Sequence, residues 1–217
     1  MQEDALAAIC ALPNDWHGAG TVSNRVLETI ARYCAGGLSH SVETGTGRTT
    51  LLISHLSRDH TVFAKQDRGD GDSFDRVHAS PLLVPDAVRF VEGPTQITVP
   101  RHEFKDQLDF AMLDGPHGFP FPFVEYCYIY PHMAPNGLLI VDDIQIRSIK
   151  VMLDILREDS MWDLVEVVGQ TAFLRRTAAP TLDPLGDGWW LQGYNRPRRR
   201  LRDLAPGWTK QIWHRLR

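Results

Sequence analysis

The chain has 217 residues, 43% of them hydrophobic, and carries a net charge of −4 at pH 7, which suits one globular domain with a sizeable core or one domain with short appendages. No apolar run approaches the roughly 20 residues of a membrane-spanning helix, and the acidic N-terminus lacks the basic start of a secretory signal. Three widely spaced cysteines without a CxxC pair are typical of reduced thiols, so we expect a cytoplasmic protein.

Strand and helix patterns alternate along the chain. Short apolar runs, bounded by glycine, proline or polar residues, predict strands at residues 38–42, 60–64, 87–91, 108–113, 138–141, 164–168 and 171–175. Apolar residues at helical spacing predict helices at residues 22–34, 49–57, 121–133 and 146–157. Only two residues separate the last two strands, which therefore read as an antiparallel pair.

This order predicts an α/β fold: a Rossmann-like, doubly wound, mostly parallel seven-stranded sheet that closes with a C-terminal antiparallel pair, in three αβα layers. We expect one domain over residues 1–178, with an N-terminal helical segment, and a basic, Trp-rich extension over residues 179–217. Ligands of such sheets bind outside the carboxyl ends of the strands. A glycine turn, Asp114 and the pair Asp142-Asp143 all follow predicted strands, so the site is expected there.

The glycine turn, Gly45-Thr46-Gly47, joins the first predicted strand to a helix. Such a turn lets backbone N–H groups approach a ligand closely. It is not a complete dinucleotide fingerprint, because Thr50 stands where the third glycine of G-x-G-x-x-G belongs, and it lacks the Gly-Lys-Ser/Thr of a phosphate loop. Taken alone, the turn leaves a cofactor loop and a plain tight turn open.

Glu43 stands before the turn, and Glu-Thr-Gly-Thr-Gly-Arg-Thr-Thr resembles the first motif of class I S-adenosylmethionine-dependent methyltransferases. The resemblance extends over residues 20–178. It implies that Glu43 recruits the ammonium group of S-adenosylmethionine, that Gln66 or Asp67 binds the ribose where the family has an acid, and that contacts to the adenine follow the third strand. The cofactor-binding residues that it implies are Glu43, Gly45, Thr46, Gly47, Gln66, Asp67, Thr95, Gln96 and Asp114.

Three aspartates follow two strands that should be neighbours in this sheet. Asp114 follows the fourth strand, and Asp142 and Asp143 follow the fifth. Carboxylates that converge without a cation repel one another and raise each other's pKa. A divalent cation such as Mg²⁺, which prefers oxygen ligands, removes that repulsion. The structural alternative is that these acids cap helices or pair with Arg147 and Lys150.

The segments Leu113-Asp114-Gly115-Pro116-His117 and Ile140-Val141-Asp142-Asp143 resemble those of metal-dependent catechol-type and macrocin-type O-methyltransferases. The resemblance implies that Asp114, Asp142 and Asp143 bind the metal and that the acceptor is a hydroxyl, with a vicinal diol favoured. A metal that binds such a hydroxyl lowers its pKa and fixes its oxygen. His117 is the predicted base, because histidine titrates near neutral pH, and Lys150 is the alternative base. A supporting or surface role for His117 stays open.

The C-terminal extension differs from the rest of the chain. From Arg196 onward, eight basic residues against one acid give a net charge of +7, which leaves −11 for the remainder. With its tryptophans, the extension has the composition of an interfacial membrane anchor. Alternatively, it covers the sheet or a second subunit of a homo-oligomer. The acidic body and the absence of a recognition motif argue against nucleic-acid binding.

The sequence therefore predicts a cytoplasmic methyltransferase that uses S-adenosylmethionine and Mg²⁺, or another divalent cation, to methylate a hydroxyl of a small molecule or glycan. Two alternatives stay open. One is an NAD(P)-dependent oxidoreductase with a degenerate glycine turn. The other is a non-catalytic, methyltransferase-like protein attached to membranes through its tail, which Gln66 favours and the intact set of aspartates with His117 disfavours.

Overall fold

The computed structural model describes residues 2–13, Trp16, 21–65, 73–104 and 106–195. Its α-helices are α1 (Gln2–Cys10), α2 (Asn24–Tyr33), α3 (Arg48–Leu56), α4 (Ser73–His78), α5 (Thr95–Thr98), α6 (Phe121–Ile129) and α7 (Arg147–Leu156). Its strands are β1 (Leu38–Thr44), β2 (Ser57–Ala64), β3 (Val88–Glu92), β4 (Leu108–Leu113), β5 (Met133–Val141), β6 (Trp162–Val168) and β7 (Thr171–Arg176).

The seven described strands form one sheet in the order β3-β2-β1-β4-β5-β7-β6. β1 pairs in parallel with β2 and β4, and parallel pairing continues outward to β3 and β5. β7 runs antiparallel to both of its neighbours, β5 and β6. The predicted fold class is confirmed, including the closing antiparallel pair. The carboxyl ends of β1, β4 and β5 consequently lie side by side.

Helices cover both faces of the sheet, because the central strands are apolar on both sides. In β4, Phe110 and Met112 pack with residues of α2 and α3, whereas Ala111 and Leu113 pack with residues of α6 and α7. The alternation follows from the two-residue period of a strand. The two apolar layers fix the central strands, and through them the positions of the strand-end loops.

The structure differs from the predicted boundaries most clearly around α6 and β5. The predicted helix over residues 121–133 ends at Ile129, a 3₁₀ turn (Tyr130–His132) follows, and β5 begins at Met133. Residues 135–137, expected to close that helix, instead bulge within β5, where the register against β4 shifts and Asn136 has φ 65°. The predicted N-terminal helical segment had no bounds for helix α1, whose Ile9 is buried against the helical layer.

Arg48, the first residue of α3, has a buried side chain. Its Nε donates to Thr21 Oγ1 at 2.9 Å, and its Nη1 donates to Asn24 Oδ1 at 3.0 Å. Its Nη2 donates to the carbonyl oxygen of Val22. Burial lowers the pKa of Arg48. These bonds fasten the segment that leads into α2 to the helix that follows the glycine turn.

Beyond β7, the chain reaches two 3₁₀ turns, and Trp189, Trp190 and Leu191 of the first turn are exposed. The basic residues 196–217 lie outside the described residues, so the membrane and subunit contacts expected of them stay predictions, as does the division at residue 178. Among the described residues, no helix combines the length and the apolar character needed to cross a membrane.

Arg48→Met should lower the free energy of unfolding by about 1–3 kcal/mol, because three hydrogen bonds of a charged, buried side chain are lost while most of its volume is kept. Denaturant unfolding measures this difference. Arg147→Met, at an exposed arginine that likewise begins a helix, is the matched control and should stay within about 0.5 kcal/mol of the wild type. Equal losses in both variants would contradict the structural role given to Arg48.

Candidate active site

The glycine turn lies against the end of β4. Gly45 has φ +92°, a backbone conformation that favours glycine, and its N–H donates to the carbonyl oxygen of Phe63 in β2 at 2.8 Å. A Cβ added to Gly45 would overlap the carbonyl oxygen of Asp114. The turn and the loop after β4 are therefore in backbone contact, at a position that only glycine can occupy without strain.

Thr50 takes over the position of the missing third glycine. Its Oγ1 donates to Glu43 Oε1, lies 3.1 Å from Thr46 Oγ1 and accepts a hydrogen bond from the N–H of Gly47 at 3.0 Å. This threonine closes the turn from the first helical residues of α3. The sequence showed only that a glycine was absent, whereas the structure shows what its replacement does.

Glu43 is buried beneath the turn, with 1% of its surface exposed. Besides Thr50, it faces His60 of β2, whose Nε2 lies 3.6 Å from Glu43 Oε1. The other ring nitrogen of His60 is 2.8 Å from Ser41 Oγ. Glu43 thus supports the turn from inside the sheet, and its contact with the ammonium group of a cofactor stays a prediction. Sequence reasoning missed His60, which lies on the buried side of β2.

An Asp–His–Asp cluster forms where the ends of β4 and β5 meet. His117 Nε2 is 2.9 Å from Asp143 Oδ2 and 3.8 Å from Asp114 Oδ1. One ligand atom from each of the three residues lies within 4.8 Å of the others, an arrangement that can hold a metal ion. The prediction placed Asp114, Asp142 and Asp143 at this edge, with His117 as the base, and the structure brings Asp114, Asp143 and His117 together.

The electrostatics of the cluster follow from crowding and partial burial. Desolvation raises the pKa of Asp114 to about 7, and the neighbouring charges of Asp142 and Asp143 add to the effect while His117 opposes it. The pKa of His117 is raised by Asp114 and, further, by the charge of Asp143. Carboxylates this close repel one another, so a cation bound between them would relieve unfavourable charge.

Asp142 and Lys150 do not join this cluster. Asp142 Oδ1 accepts a hydrogen bond from Thr171 Oγ1 of β7, and burial raises the pKa of Asp142. Lys150 is exposed on α7, where its ammonium group lies 3.3 Å from both carboxylate oxygens of Asp154, one turn further along the helix. Lys150 therefore pairs with Asp154 and not with the cluster, and its role as the alternative base stays a prediction.

The residues predicted to bind the nucleoside lie partly outside the described chain. Gln66 and Asp67 are not among the described residues, so the ribose ligand stays a prediction. Thr95 begins α5 and is buried, and its hydroxyl donates to Glu125 Oε1. Gln96 follows it and is half-buried. Thr95 is therefore held from within the protein, and contact with an adenine ring stays a prediction for both residues.

Sequence reasoning missed Glu125, a buried acid of α6 with 1% of its surface exposed. Its Oε2 accepts a hydrogen bond from Thr44 Oγ1 at 2.9 Å, and its Oε1 accepts one from Thr95. Burial raises the pKa of Glu125 to about 7. The sequence feature that could have indicated Glu125 is that it is the one charged residue in the helix sequence FPFVEYCYI.

Comparisons with known proteins agree with this geometry. A family model described as a methyltransferase domain matches residues 42–144, a range that contains the glycine turn and all three aspartates. No curated protein sequence shows significant similarity to the chain.

Solved structures share the fold at low sequence identity. The O-methyltransferase NovP has a TM-score of 0.61 at 19% identity, over 82% of this chain and 100% of that one. The SAH-bound methyltransferase PaMTH1 of Podospora anserina has a TM-score of 0.59 at 16% identity, over 81% and 88%. TomG of Streptomyces achromogenes, an O-methyltransferase involved in tomaymycin synthesis and solved with SAM, has a TM-score of 0.59 at 13% identity, over 81% and 90%. Residues 42–144 thus match a methyltransferase-domain model, and the chain has the fold and the glycine turn of a class I S-adenosylmethionine-dependent methyltransferase.

Gly45→Ala should lower the free energy of unfolding by at least about 2 kcal/mol, because the new methyl group meets the Asp114 carbonyl at a positive φ. Denaturant unfolding again gives the value. Gly36→Ala is the matched control, since a Cβ there has no atom within 4 Å. If the two variants were equally stable, the close contact between the turn and β4 would be wrong.

Glu125→Gln should become more stable relative to the wild type as the pH rises from 5 to 8. The raised pKa means that folded wild-type protein keeps a proton that the unfolded chain has lost, so wild-type stability falls as pH rises through this range, by up to about 3 kcal/mol. The pH dependence of unfolding free energy measures the difference between variant and wild type.

Glu166→Gln provides a comparison of opposite sign. Arg32 and Tyr33 hold the pKa of the half-buried Glu166 below its usual range. The stability that this carboxylate contributes is present above its unfolded pKa and is lost as the pH falls through its folded pKa. The wild type should therefore gain on Glu166→Gln only as the pH rises towards about 4.5, and the difference between them should stay constant from pH 5 to 8. If the difference in unfolding free energy between Glu125→Gln and the wild type stayed constant from pH 5 to 8, the pKa of Glu125 would not be raised in the folded protein.

Proposed function

We propose that this methyltransferase transfers a methyl group from S-adenosylmethionine to a hydroxyl of a small molecule or sugar, with a divalent cation at the Asp–His–Asp cluster. The observation that carries the proposal is the adjacency of Asp114, His117 and Asp143, beside a glycine turn in backbone contact with Asp114. A cofactor on the turn and an acceptor at the cluster would therefore share one edge of the sheet.

A hydroxyl acceptor explains the chemistry of the cluster. An alcohol or phenol is a weak nucleophile until it loses its proton, and a cation together with a nearby base serves that need. NovP and TomG, which share the fold, are themselves named O-methyltransferases. The cluster gives a physical reason to propose the same class of acceptor for this chain.

The donor atoms fit a divalent cation, and two sets are consistent with the chain. Asp114, Asp143 and His117 offer two carboxylates and an imidazole, a mixed set that suits a transition metal such as Mn²⁺. The set expected from the sequence, in which Asp142 replaces His117, is all oxygen and suits Mg²⁺. When bound, the cation would acidify the hydroxyl of the acceptor.

The protein groups have separate tasks in the proposed reaction. The N–H groups of the turn and Thr46 bind the cofactor, while Glu43 and Thr50 hold the turn in shape. Where Asp142 completes the metal set, His117 takes the proton of the acceptor at Nε2, the atom that faces Asp143. The hydroxyl oxygen then forms a bond to the methyl carbon as the bond between that carbon and sulfur breaks.

The methyltransferase family match sets aside the oxidoreductase alternative. Contact of residues 197–217 with an anionic membrane, and a homo-oligomer, stay proposals that the described residues do not address. The transfer assay below distinguishes an enzyme from the non-catalytic alternative.

The wild-type protein should transfer label from S-adenosylmethionine into a panel of catechols and sugar diols, and transfer should rise when Mg²⁺ or Mn²⁺ is added. Product formation with and without a chelator measures both the transfer itself and its dependence on the cation. Full activity in the chelator would refute the metal role. Binding of S-adenosylhomocysteine without transfer to the panel would leave the acceptor class unsupported.

Asp143→Asn should weaken Mn²⁺ binding at least about 10-fold, because it removes a carboxylate from the cluster. Titration calorimetry with Mn²⁺ alone measures the affinity. Asp142→Asn should have the smaller effect if His117 is the third ligand, and an equal effect if the all-oxygen set is used. Asp154→Asn, on the exposed part of α7, is the control. Unchanged affinity in Asp143→Asn would refute a metal site at this edge.

A further inference from the structure

We propose that Glu125 is a positioning residue of the cofactor site, which holds the ends of β1, β3 and β4 in the arrangement that binds S-adenosylmethionine. The inference rests on the proposed function, since the cofactor is the ligand concerned. Glu125 lies on α6, behind the strand-end loops, and has no part in the mechanism described above. Its contacts with three separate loops carry the proposal.

The first contact reaches the glycine turn and the acidic loop together. Thr44, the last residue of β1, donates its hydroxyl to Glu125 Oε2 at 2.9 Å and accepts the N–H of Asp114 at 3.1 Å. Thr44 directly precedes Gly45. One hydroxyl therefore connects Glu125 to the start of the turn and to the backbone of Asp114.

The second contact reaches the segment after β3, and the third reaches the loop after β4 a second time. Thr95, which follows β3, donates its hydroxyl to Glu125 Oε1. Gly115 packs directly on the carboxylate, since a Cβ added there would overlap Glu125 Oε1. The carboxylate therefore lies beneath the Asp114-Gly115 segment and beside the first turn of α5, where the nucleoside contacts are predicted.

The energetics argue against a role in stability alone. Among the described residues, no lysine or arginine pairs with Glu125, and the charge of His117 is the cationic influence on its pKa. A buried acid without an ion pair is costly, and glutamine or an apolar side chain of similar size would cost less. A residue that lowers stability at a ligand site is expected where ligand binding depends on it.

In the ionised form of Glu125, two acceptor oxygens on one carboxylate explain why glutamine would not be equivalent. Both Thr44 and Thr95 donate to Glu125, and each hydroxyl has one proton to give. Glutamine offers one oxygen and an NH₂ group, so one threonine would have to turn its donor away. The loops would then lose a fixed connection, although the core around α6 would keep its volume.

The test compares Glu125→Gln with wild type in two measurements: binding of S-adenosylhomocysteine by calorimetry and the thermal midpoint of unfolding without ligand. We expect affinity to fall about 5–10-fold while the midpoint at pH 7.5 stays the same or rises. A residue with only a structural role would not weaken binding while leaving the midpoint intact. Glu28→Gln, at an exposed acid of α2, is the matched control and should change neither quantity.

Thr44→Val provides the second variant. It should also weaken S-adenosylhomocysteine binding, and the double variant with Glu125→Gln should lose less than the product of the two separate losses, because both changes remove the same hydrogen bond. Unchanged affinity in Glu125→Gln, or independent losses in the double variant, would overturn the inference. If wild-type protein failed to bind S-adenosylhomocysteine, the proposed function itself would fail, so the two failures are distinguishable.

Discussion

The backbone contact between Gly45 and Asp114 is the constraint on which the site depends. Parallel pairing of β1 with β4 brings two strand ends together, and the positive φ of Gly45 lets the turn pass directly against the Asp114 carbonyl. A side chain at this position would push the turn away from β4. The glycine turn and the acidic cluster are therefore parts of one surface, whose spacing the sheet sets.

Two buried acids support this surface from inside. Glu43 closes the turn through Thr50, and Glu125 joins the neighbouring loops through Thr44 and Thr95. Buried carboxylates of this kind are unfavourable on their own. The apolar layers on both faces of the sheet supply the stability that permits them, so packing and function are linked through the strand ends.

The fold and the general location of the site could be predicted from the sequence, because apolar runs predict buried strands and the carboxyl ends of parallel strands meet at one edge. The partners towards which individual side chains point could not be predicted. Asp142 turns to Thr171 because β7, an antiparallel strand about 30 residues further on, inserts beside β5. The role of Glu125 could not be predicted either, because its contacts come from three loops that are distant in the sequence. Residues 135–137 looked like a helix stop, and only pairing with β4 shows them to be a bulge.

A crystal structure of the protein with S-adenosylhomocysteine and Mn²⁺ would show whether the glycine turn and the Asp–His–Asp cluster form one site. Anomalous scattering from Mn²⁺ identifies the ion independently of its surroundings. We predict Mn²⁺ bound by Asp114 and Asp143, with the sulfur of the cofactor facing it across the glycine turn. Mn²⁺ bound elsewhere, or S-adenosylhomocysteine away from Gly45, would show that the turn and the cluster are not one site.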